Sequence, residues 1–113
     1  MRALFIELPA FEKYRQDYLT DEHYHAFQQQ LLENPLCGDL LQHTGGLRKV
    51  RFQDTRRGKG KRGGLRIIYY WWWEDATFFL FTLYDKDELS DLTKQQRDLL
   101  SQMLQQIKRG NKQ

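Results

Sequence analysis

The chain has 113 residues, a net charge of +3 and 14% aromatic residues, which fits one small folded domain spanning residues 1–113 and argues against disorder. Its longest apolar run, Ile67–Trp73, is far short of the roughly 18 residues a membrane span needs, and Glu7 and Pro9 interrupt any signal-peptide core. The single cysteine, Cys37, excludes an internal disulfide and a zinc cluster, so the expectation is a soluble cytoplasmic protein with no membrane partner.

Ala3–Leu8 predicts a short strand, bounded by Pro9. Pro9 suits a first helical position, and Phe11, Tyr14, Tyr18 and Leu19 follow at helical spacing, so Pro9–Leu19 predicts an amphipathic helix. Thr20 can cap a second helix with Asp21 and Glu22 in its first turn. Its apolar stripe is Tyr24, Phe27 and Leu31, and Asn34-Pro35 stops it. Cys37–Gly46 reads as a connector with a turn at Gly45-Gly46. Leu47–Gln53 alternates apolar and basic residues, as a strand with one exposed face does. Asp54–Gly64 is a glycine-rich basic loop. Leu65–Trp73 is apolar and rich in β-branched and aromatic residues, and predicts a strand covered on both faces. The Trp71-Trp72-Trp73 run is expected to be mostly core. A tight connection at Glu74-Asp75-Ala76 joins it to a second buried strand, Thr77–Tyr84, in a hairpin. Thr93-x-x-Gln96 fits a capping box before a last helix whose stripe is Leu99, Leu100, Met103, Leu104 and Ile107, ended by Gly110. The order strand, helix, helix, strand, strand, strand, helix predicts an α+β domain with an antiparallel-cored sheet covered by helices.

The charge is unevenly spread. Arg48–Arg66 holds nine basic residues against one acid, Asp54, a net +8, while the rest holds nine basic and fourteen acidic residues, a net −5. Such a concentration points to a polyanion partner, of which nucleic acid is the commonest; the alternative is a solvated loop.

The segments Gly45-Gly46-Leu47-Arg48-Lys49-Val50-Arg51, Gly58-Lys59-Gly60-Lys61-Arg62-Gly63-Gly64, Arg66-Ile67-Ile68-Tyr69-Tyr70 and Thr82–Leu92 together resemble the RelE/HigB superfamily of bacterial toxins, and within it the HigB2-type branch. The resemblance covers nearly the whole chain. It implies a RelE-like fold and the toxin of a type II toxin–antitoxin system that acts as a ribosome-dependent mRNA endonuclease, entering the ribosomal A site and cutting the message there. It also implies a cognate antitoxin, in the HigB group usually a HigA-like helix-turn-helix protein, with operator DNA reached only through the antitoxin complex. Asp85 departs from the pattern, which more often has a small residue there, and a carboxylate beside Lys86 would weaken its attraction for phosphate. ParE-type relatives share the architecture but poison DNA gyrase; a binding-only inhibitor of that kind and a noncatalytic nucleic-acid-binding domain are the alternative readings.

RNA cleavage with the 2′-hydroxyl as nucleophile needs a proton acceptor, a stabiliser of the phosphorane and a proton donor for the 5′-oxygen, and cations supply much of this. The sequence offers no metal motif, since His23 and His25 diverge on a helix and His43 stands alone, and no cofactor is expected. Arg66 opens an otherwise apolar strand and should share its face with Ile68, Tyr70 and Trp72. It is the leading candidate for gripping a phosphate; the alternative is a salt bridge to an acid of the last helix or a neighbouring strand. Lys59 and Lys61 alternate with glycines and are candidate proton donors or acceptors, the choice between them being open; the alternative is a loop that meets ribosomal RNA only through nonspecific charge. Tyr84 could stack on a base and Lys86 could hold a phosphate; the alternative is strand-end packing and a surface lysine. Arg48, Lys49, Arg51, Arg56, Arg57 and Arg62 are candidates for contact with the RNA or ribosomal backbone.

Overall fold

A computed structural model describes residues 1–52 and 64–110. The chain runs β1 (Leu4–Glu7), α1 (Pro9–Tyr18), α2 (Asp21–Glu33), β2 (Asp39–Leu40), β3 (Arg48–Phe52), β4 (Leu65–Trp72), β5 (Thr77–Asp85) and α3 (Lys94–Gly110). The five strands form one sheet in the order β1-β5-β4-β3-β2. β2, β3, β4 and β5 pair antiparallel, and β1 joins the far side of β5 in parallel. The α+β reading with an antiparallel core holds, with a parallel edge strand added and a two-residue strand inside the expected connector.

Local chemistry sets the boundaries. Pro9 opens α1, Thr20 caps α2 by accepting from the His23 amide at 3.0 Å, and the capping box of α3 closes in both directions. The Thr93 amide donates to Gln96 at 2.9 Å and the Gln96 amide to Thr93 at 3.1 Å. β4 stops one residue earlier than expected: Trp73–Asp75 form a single 3-10 turn and Ala76 takes the left-handed conformation that lets the chain reverse. Trp73 thereby leaves the strand and is 73% exposed, whereas Trp71 and Trp72 pack on opposite faces of the sheet. The expectation of a mostly buried tryptophan run fails at that residue.

The sheet divides two apolar layers. On one face α1 and α2 bring Phe11, Phe27 and Leu31 against Val50, Leu65, Ile67, Tyr69, Phe78 and Leu80. On the other, α3 brings Leu100 and Leu104 against Leu47, Ile68, Phe79 and Phe81. Leu47 and Val50, apolar residues of the strand predicted over Leu47–Gln53, serve opposite layers. Leu99, expected in the buried stripe of α3, is 58% exposed.

A register shift between Ile68 and Tyr69 decides which layer the end of β5 joins. Ile68 faces Thr82 and Tyr69 faces Leu80, so β5 carries one extra residue, Phe81. Such a bulge changes which face the rest of the strand presents. Strict alternation from Leu80 would set Tyr84 toward α1 and α2; past the bulge, Tyr84 packs in the α3 layer with Phe79 and Phe81.

Candidate functional site

Three strands place their charged and aromatic residues in one row. Arg51 lies directly opposite Arg66, and Arg66 directly opposite Tyr84. Cross-strand partners share a face, and Arg66 alternates with Ile68, Tyr70 and Trp72 of the α3 layer, as its sequence position predicts. Lys49, one pair further along β3 on the same side, faces Ile68. The row sits at the end of the sheet where β4 begins and β5 ends. There a cleft of about 430 Å³ is lined by Lys49, Arg51, Arg66 and Lys86, with Asp39 and Asp91 as its carboxylates.

Arg66 is 5% exposed. Its hydrogen bond among the described residues is a long one, Nη1 donating to the Gly64 carbonyl at 3.5 Å. Among the described residues no carboxylate pairs with it, so the alternative of an internal salt bridge gains no support there. Arg51 is exposed. Two guanidinium groups directly opposite each other on neighbouring strands repel, a cost that an anion between them would remove. Lys49 bridges Asp91 at 3.5 Å. Lys86 is exposed at the cleft, and its backbone amide donates to the Gly64 carbonyl at 3.4 Å, tying the end of β5 to the start of β4.

Tyr84 is 8% exposed, and its hydroxyl is buried with no hydrogen-bond partner among the described residues. Burial and the nearby Asp91 carboxylate push its pKa up, against a smaller opposing pull from Arg66 and Arg97. At neutral pH the hydroxyl therefore keeps its proton and is available as a donor.

Arg48 stands apart from this group. It faces Tyr69 on the α1–α2 side, and its guanidinium donates to the Gly38 carbonyl at 2.8 Å and the Leu36 carbonyl at 3.4 Å, clamping the connector that follows α2. Asp85 also points away from the cation row. It lies opposite Leu65 of the α1–α2 layer and is fully buried, its carboxylate accepting from the Asp87 amide at 2.9 Å. The carboxylate shapes the turn after β5, and the expected interference with Lys86 meets a side chain on the other face. Lys59, Lys61, Arg56, Arg57 and Arg62 lie outside the described residues. Among the described residues no cluster of histidine, cysteine and carboxylate side chains could hold a metal ion, and no helix is long and apolar enough to cross a membrane.

Sequence reasoning missed Arg97 and gave Asp91 no role. Arg97, Leu100 and Leu104 follow at three- and four-residue spacing in α3, so a cation occupies the helix's buried stripe; that pattern was available in the sequence. Arg97 comes within 3.9 Å of Asp91, one of the two carboxylates that line the cleft.

The sequence matches no known protein-family profile. Solved structures share the fold. An arginine-to-alanine double mutant of the E. coli toxin RelE in the free state superposes with a TM-score of 0.52 at 15% identity, over 80% of this chain and 90% of that one. A chain of the intact E. coli RelBE toxin–antitoxin complex gives a TM-score of 0.52 at 15% identity, over 73% of this chain and 94% of that one. At this identity the likeness establishes a RelE-like fold.

Proposed function

We propose that this chain is the toxin of a type II toxin–antitoxin system of the HigB2 type, a ribosome-dependent endoribonuclease that cuts translated messages in the A site and thereby inhibits translation. The observation that carries this reading is the row Arg51–Arg66–Tyr84: two opposed guanidinium groups lining a cationic cleft, with the buried, protonated Tyr84 hydroxyl behind them, on a RelE-like fold. In this reading the RNA 2′-hydroxyl, giving up its proton, attacks the adjacent phosphorus; the bond from phosphorus to the 5′-oxygen breaks, that oxygen leaves with a proton as a 5′-hydroxyl, and a 2′,3′-cyclic phosphate remains. Arg66 grips the phosphate with paired hydrogen bonds and stabilises the charge that builds on it. Lys86 and Arg51 hold neighbouring phosphates, and Lys59 or Lys61 exchanges the protons. No metal or cofactor enters the scheme. The ribosome holds the message in the reacting geometry and so supplies the positioning. The partner that restrains the toxin is a HigA-like helix-turn-helix antitoxin, through which operator DNA is reached.

The test sets purified protein against one defined message, naked or held by programmed ribosomes. Cleavage confined to the ribosome-bound message is expected. Efficient cutting of the naked RNA would overturn the dependence on the ribosome. Intact message together with inhibited gyrase would identify a binding-only, ParE-like inhibitor.

A further inference from the structure

We infer that Arg97 of α3 is a further phosphate ligand of the Arg66 face, and that Asp91 is its counter-ion in the free protein, surrendered when a phosphate arrives. The identity of the phosphate as RNA rests on the nuclease reading; the geometry does not.

Arg97 is directed at the sheet by its place in the stripe with the buried Leu100 and Leu104. Its side chain is 33% exposed, yet its Nε is buried and has no hydrogen-bond partner among the described residues. The Asp91 carboxylate does not satisfy the guanidinium, since Nη2 stays 3.9 Å from Oδ2, beyond hydrogen-bonding length. The Tyr84 hydroxyl is likewise buried and unpartnered among the described residues, and both Arg66 and Arg97 act on it electrostatically. Buried polar groups nearly always have partners. Counting only the described residues, a tyrosine hydroxyl, an arginine Nε and an Arg66 with one long hydrogen bond, all donors, therefore share one region that is short of acceptors. A phosphate group brings several acceptor oxygens, and guanidinium geometry matches it.

Asp91 stands where such a group would enter. It lines the cleft and is held loosely between Lys49 at 3.5 Å and Arg97 at 3.9 Å. The Leu92 amide also donates to its Oδ1, at 2.8 Å. The carboxylate is 53% exposed, and bridges so open to solvent are weak. A phosphate bound by Arg66 would compete with Asp91 for both cations.

Adenosine 3′-monophosphate is the probe, titrated at low salt into the full chain and followed by NMR shifts up to millimolar concentration, with ribosomal cleavage measured in parallel. Arg97→Ala should weaken binding about ten- to hundredfold, the loss expected for charge-assisted hydrogen bonds, and Arg97→Lys should recover part of it. Asp91→Asn keeps an acceptor for the Leu92 amide and removes the competing charge, so it should tighten binding about two- to fivefold. The proposal is overturned if wild-type protein binds no probe, if Arg97→Ala and Arg97→Lys both bind within about twofold of wild type, or if Asp91→Asn weakens binding as Arg97→Ala does. Wild-type protein that binds the nucleotide but leaves ribosome-bound message intact would refute the nuclease reading and leave this site standing. Cleavage that needs Arg66 but proceeds unchanged in Arg97→Ala, with unchanged probe binding, would do the reverse.

Discussion

Arg66 is charged, nearly buried and set against a second arginine, a combination that weakens a fold unless something else requires it. Its paired position opposite Arg51 supplies that requirement if the ligand is an anion. Arg66→Ala should lower ribosomal cleavage about 10²–10³-fold, by analogy with the loss of one oxyanion donor. The melting temperature should stay near wild type, because among the described residues no carboxylate is paired with Arg66 to be left stranded. Calorimetry and cleavage on the same variant check this. A collapsed melting temperature with activity surviving in the folded fraction would assign Arg66 to stability instead. Arg66→Lys keeps the charge but loses the planar two-pronged grip and should remain badly impaired. Arg48 shows why residue type alone misleads: it belongs to the same basic run, yet its guanidinium is spent on the carbonyls of Leu36 and Gly38.

Most elements were legible because their signals are local. The caps of α2 and α3 sit in Thr20 and in Thr93 with Gln96, and the apolar run of β4 announces a central strand. The turn before β3 is as direct: Gly45 and Gly46 have φ of +84° and +126°, a region L side chains rarely adopt. A β-carbon on Gly46 would also come within 2.9 Å of the Tyr70 ring. Gly46→Ala should therefore cost about 1–3 kcal/mol, read as a lowered urea midpoint with an unchanged slope; an unchanged midpoint would show that the turn relaxes freely. What sequence could not give depends on pairing between distant strands. The parallel placement of β1 follows from its register with β5. The bulge at Phe81 that delivers Tyr84 to the Arg66 face arises where β4 and β5 meet and leaves no mark in the hydrophobic pattern, since both faces of β5 are apolar. Trp73 is another such case, apolar by type and carried out of the sheet by the turn it begins.

At the scale of the whole molecule, two apolar layers flank a sheet with a cationic end. Tyrosines contribute to both layers, and burial, the largest cause in each case, raises the pKa of Tyr24, Tyr69, Tyr70 and Tyr84 above the ordinary 10.0. Above that pH the unfolded chain releases tyrosine protons that the folded chain retains, so stability present at neutral pH must fall as pH rises. The urea midpoint should hold up to about pH 9 and drop as the pH rises through about 10 and beyond; a constant midpoint would mean these hydroxyls ionise as readily folded as unfolded. The function assigned to the sheet end is a claim about what the molecule attacks in a cell. Induced expression followed by mapping of message ends tests it most directly. New 5′ ends should appear within translated frames only, vanish when the start codon is removed, and be absent with Arg66→Ala, while protein synthesis falls and DNA synthesis at first continues. Intact messages with early DNA-damage signalling would contradict the account.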